Sequence, residues 1–389
     1  MRYLVGFVFV VALGVVPLVG CGDTAGVCSG TVCPCTEEGI LAAVVAGGGP
    51  YTFDCDGPTT VVTKAEIVIK RDVVLDGDGN LAVDGSHDHR VLSVVPGVAA
   101  ELVGVTVGGG FVQFDGQGLG ILNEGTLTLR DCVIAENGSS FLLGGGAGIS
   151  NAGEMTIIDG TVTQNYAGHG VGGGIYNDRS ATLTLVNSTV ADNGADGDGG
   201  GLYGGGIFNS GEMAIINSTV SGNRAYDAVF GLGLGGGIAN AGSMSVTNST
   251  VSGNSADSGG AIAMEPRFYP DSYIEIANTL IDGDCEGTGD GSNLKWVSRG
   301  NNIESTGDTC RFDQPTDQAN VTGGQLVLGP LQDNGGPTMT HALGAGSVAL
   351  DRIPEVDCQV TEDQRGQPRP ETGGDACDVG SFERQPEDP

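Results

Sequence analysis

Leu127-Thr-Leu-Arg-Asp-Cys-Val-Ile-Ala-Glu-Asn137 is a phrase that returns five more times, as Met155 to Asn165, Leu183 to Asn193, Met213 to Asn223, Met244 to Asn254 and Ile274 to Asp284. The closing Asn or Asp falls at 137, 165, 193, 223, 254 and 284, so successive copies are 28, 28, 30, 31 and 30 residues apart. A repeat of this size marks a solenoid, in which each copy is one coil stacked on the last. Inside the phrase apolar residues alternate with Thr, Ala, Ser or Glu. Leu127, Met155, Leu183, Met213, Met244 and Ile274 share one position, and Leu129, Ile157, Leu185, Ile215, Val246 and Ile276 share the position two later. Period 2 means a strand with one face inward. Two further apolar columns accompany it: Ile134, Val162, Val190, Val220, Val251 and Ile281, and Ile121, Ile149, Ile175, Ile207, Ile238 and Ile262. Three inward columns require about three short strands per coil. The expected fold is therefore all-β, a single-stranded right-handed parallel β-helix. At roughly 4.8 Å per coil, nine or ten coils make a rod on the order of 45 Å long.

Asparagines also line up, at 123, 151, 177, 209 and 240, at 187, 217, 248 and 278, and at 137, 165, 193, 223 and 254. Asn tolerates the left-handed backbone of a tight bend, and stacked amides bond along a ladder. These columns are read as structural. So are the three Asn-Ser-Thr tripeptides within them, although they match a glycosylation acceptor.

The ends differ from the middle. Met1-Arg2 precedes an uncharged apolar run from Tyr3 to Val19, the pattern of a secretory signal. The run ends Leu18-Val-Gly-Cys21, which resembles the bacterial lipobox. That resemblance implies cleavage before Cys21, diacylglycerol on its thiol and a membrane tether. Gly22 stands where many inner-membrane lipoproteins carry aspartate, which points to the outer membrane. Thr36-Glu-Glu-Gly-Ile-Leu-Ala-Ala-Val-Val-Ala46 reads as a helix, capped by Thr36 and stopped by Gly47-Gly-Gly, and placed to close the apolar end of the solenoid. Strands follow at 60–63, 67–69, 73–75 and 81–83. The chain thus divides into a signal (1–20), a linker with capping helix (21–59), β-helix repeats (60–284) and a C-terminal module (285–389).

Within that module, Leu328-Gly-Pro-Leu-Gln-Asp-Asn-Gly-Gly-Pro-Thr-Met-Thr-His-Ala-Leu343, Gly346 to Asp351, Asp363-Gln-Arg-Gly-Gln-Pro-Arg369 and Cys377-Asp-Val-Gly-Ser-Phe-Glu383 resemble the choice-of-anchor domain of bacterial surface proteins. In that family an anchoring segment usually follows. Here six residues follow Glu383, and a lipid on Cys21 would supply the tether. The repeats resemble those of the polymorphic outer-membrane proteins, with Val-x-x-Asn where those proteins often carry Phe-x-x-Asn.

An exported chain permits disulfides. The expected pairs are Cys28–Cys33, Cys35–Cys55, Cys285–Cys310 and Cys358–Cys377. Cys132 is left as a buried thiol, because it holds a repeat position taken elsewhere by Gly160, Ser188, Ser218, Ser249 and Thr279.

With 16 basic and 48 acidic residues the formal net charge is −32, which argues against nucleic acid and anionic lipid surfaces as partners. The four histidines, 87, 89, 169 and 341, have no metal-ligand or general-base spacing. Asp282 and Asp284 offer carboxylates for calcium, as do Asp196 and Asp198, while Asp76, Asp78 and Asn80 offer carboxylate and amide oxygens. The loop from Asp76 fails as an EF-hand because His87 stands at position 12. Paired carboxylates for sugar hydrolysis are not evident on the outward strand position, where Glu275 stands alone. The segments that vary between coils all fall at one point of the repeat. They carry Phe141, Tyr166, Tyr203, Tyr226 and Phe230 in a chain that is 5% aromatic. Stacked along one edge, these would form a binding surface for a polysaccharide or a surface protein. The functional expectation is an exported, lipid-anchored β-helix with a structural, adhesive or ligand-binding role. The alternative is a polysaccharide-active lyase or glycoside hydrolase.

Overall fold

The structure is a computed structural model that describes residues 27–112, 116–139, 144–198, 202–265, 272–287 and 295–388. The chain is a right-handed parallel β-helix of about eight turns with a disulfide-containing C-terminal region. One coil is seen well between Ile175 and Gly197. A first strand, Ile175–Asn177, is followed by a five-residue second strand, Thr182–Val186, then a three-residue third strand, Thr189–Ala191, and a short edge strand, Gly194–Gly197. First strands stack into a nine-stranded sheet and edge strands into a five-stranded sheet; second and third strands share a twenty-stranded sheet.

The register makes the repeat physical. Leu183 pairs with Met155 and Met213, and Leu185 with Ile157 and Ile215, all in parallel and all buried. Each such side chain contributes roughly 1.5–3 kcal/mol by leaving water. Two of the three asparagine columns run inside the coil as amide ladders. Asn123, Asn151, Asn177, Asn209 and Asn240 are linked by 2.8 Å bonds from each Nδ2 to the next Oδ1. Asn137, Asn165, Asn193, Asn223 and Asn254 are linked the same way at 2.9 Å. The third column sits at the bend after the second strand. Asn187, Asn217, Asn248 and Asn278 have φ between 49° and 53°, the left-handed region that Asn tolerates.

Helix α1, Glu37–Ala46, closes the N-terminal end. Thr36 Oγ1 accepts from Gly39 N at 3.2 Å, and Ile40, Ala43 and Val44 face the core. The expected strands at 73–75 and 81–83 are one strand, Val73–Asp84. Its register against Ala99–Gly108 shifts between Asp76 and Leu81, so the Asp-Gly turn is absorbed as a bulge. The sheets also extend beyond the boundaries read from the repeat. Gly48–Asp54 pairs with Val73–Asp84, Lys295–Ser298 with Tyr273–Ala277, and Ile303–Ser305 with Leu280–Asp282. These outer strands lack the repeated phrase, so spacing alone did not find them.

Disulfides join Cys28–Cys33, Cys35–Cys55, Cys285–Cys310 and Cys358–Cys377. Cys132 is free and buried; burial pushes its thiol up to about 11. The C-terminal region lies back along the third strands and the bend. Thr189 Oγ1 donates to Met339 O at 2.7 Å, and Thr219 Oγ1 to Gln364 Oε1 at 2.6 Å. Ser381 N donates to Thr250 Oγ1 at 3.0 Å, and Asn248 Nδ2 to Cys358 O at 2.7 Å. Thr189, Thr219 and Thr250 are buried by this cover, whereas Thr161, one coil earlier, is half-buried. Arg365 holds the cover together. It bonds Asp363, Asp388 and the Glu383 carbonyl, and its guanidinium sits 3.7 Å from the centre of the Phe382 ring.

Candidate functional site

The edge strands turn the tightest corner, and their inward residues are small: Ser139, Ala167, Ala195 and Ala225 are all buried. Their outward residues are therefore free to vary. Each edge strand starts one residue after a ladder asparagine, so the outward column reads Gly138, Tyr166, Gly194, Arg224 and Ser255 in register. Two residues on, Gly168, Asp196 and Tyr226 form the next column.

Gly194 leaves a gap between Tyr166 and Arg224. A Cβ at Gly194 would meet the Tyr166 ring at 3.3 Å. Gly222, behind it, opens the floor further. The result is a cleft of about 410 Å³ bordered by Gln164, Tyr166, Asp192 and Arg224. Arg224 Nε donates to Asp196 Oδ1 at 3.2 Å, and Arg224 Nη2 bonds the other carboxylate oxygen. That bond holds the guanidinium above its usual pKa range, while burial raises the Tyr166 phenol. Both groups keep their neutral-pH protonation. The arrangement offers a ring face, a fixed cation–anion pair and an acid and amide rim. It suits a polyol that stacks one face and hydrogen-bonds with its edge.

Of the five expected aromatics, the four among the described residues do not share one column. Tyr166 and Tyr226 are on the same sheet, two coils apart and one column offset; both are 39% exposed. Phe230 is 61% exposed on a turn whose backbone N–H groups bond Asp227 Oδ1 at 3.0 Å. Tyr203 packs at the next corner, its ring 5.9 Å from Phe208, which in turn stacks on Tyr176 at 5.7 Å. Phe141 lies outside the described residues, as does Cys21. Tyr166 and Tyr226 are offset because they stand one and three residues after their ladder asparagines, whereas Tyr203 and Phe230 lie beyond the edge strands. Arg224 and Asp192 carry no aromatic signal, and Asp196 reads from sequence as a turn carboxylate. The residue immediately after each ladder asparagine identifies the column of Arg224, and the residue two further on that of Asp196.

A second concavity of about 260 Å³ lies on the outward face of the second strands, lined by Thr182, Thr184, Glu212, Ser243, Ser245, Tyr273 and Glu275. Glu275 accepts from Arg299 Nη2 at 2.9 Å and from the Tyr273 hydroxyl. Arg299 and Tyr273 hold its carboxyl below the usual range. Glu212 joins this face from the neighbouring outward column, two residues before the strand position that carries Glu275.

Three of the histidines, and Asp282 and Asp284, have structural partners. His89 contacts the Arg90 and Thr63 carbonyls at 2.7 and 3.0 Å, and His169 pairs with Asp198 at 3.2 Å. His341 lies between Gly329 O and Ser221 Oγ. Asp284 accepts from Gly259 N and Gly260 N, and Asp282 from Ser252 Oγ. Among the described residues no group of three or more His, Cys, Asp or Glu side chains is placed to hold a metal ion.

No family model matches the chain, and no curated protein matches it. Among solved structures the chain is similar to pectate lyase Pel9A, with a TM-score of 0.51 and 15% identity over 88% of this chain and 90% of that one. At that identity the likeness establishes the parallel β-helix.

Proposed function

We propose that this protein is an exported β-helix, tethered by lipid at Cys21 to the outer membrane, that holds an extended glycan along its edge strands. The observation that carries the binding reading is the exposed Tyr166 ring over Gly194, beside the Arg224–Asp196 pair, in a cleft of about 410 Å³. The lipobox-like Leu18–Cys21 and the choice-of-anchor wording between Leu328 and Glu383 support the cell-envelope address. A structural or adhesive role follows from the same parts: a rigid rod, a tether and a side surface that grips polymer.

The test is direct. Tyr166→Ala with Arg224→Gln alters only exposed side chains, so the melting temperature should stay within about 1 °C of the parent. Binding on a glycan array should fall by tenfold or more. Unchanged array binding sinks the reading of the edge. Labelling with a fatty-acid analogue should mark Cys21, and Cys21→Ser should release the chain from membranes.

The second reading is polysaccharide cleavage. A pectate lyase shares the fold, and Glu212 and Glu275 open on one groove. Hydrolysis needs two carboxylates about 5–9.5 Å apart across the scissile bond. Unsaturated or shortened products from polygalacturonate or a neutral glycan, abolished by Glu275→Gln, would favour this reading over simple binding.

A further inference from the structure

The second strands present three outward columns to solvent, and their order is regular. The first column, from Thr126 onward, reads Thr126, Glu154, Thr182, Glu212, Ser243 and Tyr273, held in register by parallel pairing. Hydroxyl and carboxylate alternate from Thr126 to Ser243, before Tyr273 and the exposed Lys295 end the column, so Glu154 and Glu212 stand two rungs, about 10 Å, apart on the same line. Both are exposed, and neither has an ion-pair partner among the described residues. The second column carries hydroxyls at Thr128, Thr156, Thr184 and Ser245. The third is apolar at Ile158, Val186 and Ile216, all half-buried. Two concavities lie in line on this face, one of about 410 Å³ bordered by Glu101, Thr126 and Thr128, the other the groove of about 260 Å³ at Thr182 to Glu275. The arginines at its two ends are already spent: Arg130 pairs with Glu101 at 2.7 Å and Arg299 with Glu275 at 2.9 Å.

We infer that this face is a second binding surface, for a flat β-1,4-linked polymer of amino sugars. In such a chain successive sugars are turned over, so like groups recur on one side at every second residue. That is the period of Glu154 and Glu212. Ammonium groups would meet those carboxylates, ring hydroxyls the Thr and Ser column, and the C–H faces of the sugars the apolar column. A uronate polymer has the opposite charge and is repelled by the same column. The inference does not depend on the edge cleft, which lies around a different corner of the coil.

The experiment uses the full chain in detergent and three hexamers, of β-1,4-glucosamine, of β-1,4-glucose and of galacturonate, with affinities from calorimetry at pH 6. The glucosamine hexamer should bind, the glucose hexamer several-fold more weakly and the galacturonate hexamer not at this face. The double variant Glu154→Gln, Glu212→Gln should weaken glucosamine binding about tenfold and remove most of its salt dependence. Circular dichroism should show it folded, since both side chains are exposed. In a Tyr166→Ala background the same double variant should still weaken glucosamine binding about tenfold, which separates this surface from the edge. Equal affinity for glucose and glucosamine hexamers would overturn the inference. So would parental affinity in the double variant, an effect of the double variant that vanishes in the Tyr166→Ala background, or shortened oligomers after incubation.

Discussion

Removing one amide from the inner ladder should destabilise the whole rod, and the structure sets the size of the effect. Asn193 is buried and donates to Val162 O, Ala191 O and Asn223 Oδ1 at 2.9, 3.0 and 2.9 Å. Its carbonyl accepts from the backbone N and the Nδ2 of Asn165 at 3.0 and 2.9 Å. In Asn193→Ala the Asn165 backbone N–H loses its acceptor inside the coil, a desolvation loss of about 1–3 kcal/mol. The other bonds contribute about 1 kcal/mol each, partly recovered through carbonyls that already serve the sheets. The sum is about 4 kcal/mol. With about 2.1 cal/mol/K of unfolding entropy per residue, that lowers the melting temperature of this chain by about 5 °C. Asn187→Gly is the matched control. Asn187 occupies a left-handed bend with φ 51°, glycine keeps that conformation, and one 2.8 Å bond from Asn217 is lost. Its shift should be about 1 °C. Melting followed by circular dichroism reads both. Equal shifts would refute the reasoning, because the inner column would then be no more than a second set of bends.

Further outcomes follow from the register, the cover and the thiol. Leu185→Asp puts an unpaired charge between Ile157 and Ile215 and should destabilise by several kcal/mol, while Thr184→Asp, outward on the same strand, should stay within about 0.5 kcal/mol. Arg365→Leu strands the buried Asp363 carboxylate and should cost about 3–5 kcal/mol within the C-terminal cover; limited proteolysis should then cut beyond residue 332 faster in the variant than in the parent. Burial pushes the Glu383 carboxyl up to about 7 against the pull of Arg369, and that of Asp378 up to about 6. Both lie above their unfolded values, so the stability they confer is full below about pH 4 and is lost as pH rises through 7. Glu383→Gln should therefore gain on the parent in melting temperature between pH 4.5 and 8; a constant difference across that range would contradict the assignment. Cys132, with its thiol raised to about 11, should resist alkylation at pH 8 in the folded chain and react once the chain is unfolded.

The coil was legible because three inward columns must recur at every turn, and a missed apolar residue would open a void in every neighbouring layer. Leu127, Ile134 and Ile149 announce themselves through that constraint alone. The α1 helix was legible from Thr36, Glu37 and Gly47, which are local signals. The limits of the solenoid were not, because Trp296 and Ile303 continue the sheets without the repeated phrase, and Val73–Asp84 runs through an Asp-Gly turn that reads as a break. The cover was hidden for a different reason. The bonds from Thr189 to Met339 and from Thr219 to Gln364 join residues about 150 apart, and nothing in either segment names its partner. The edge cleft was half legible. Its position on the coil followed from where the repeats differ in length, but its members are set by register after each ladder asparagine. That favoured Arg224 and Asp196 over Tyr203.

The same constraint decides where recognition can reside on this rod. Inward residues are fixed by packing, ladder asparagines by their neighbours above and below, and bend asparagines by φ. The third strands of three successive coils are committed to the C-terminal cover. Among the described residues, the edge strands and the second strands leave outward surfaces that differ in kind. At the edge, Tyr166, Gly194, Arg224 and Ser255 follow no period, so a ligand there is gripped at one place by particular groups. On the second strands Glu154 and Glu212 stand two rungs apart amid a line of hydroxyls, so a ligand there gains most by repeating at that interval. A single sugar would distinguish poorly between rungs of that face, whereas a polymer adds one equivalent contact per repeat. Affinity should therefore climb with oligomer length on the second strands, up to the length of that line. At the edge it should level off once the cleft is filled.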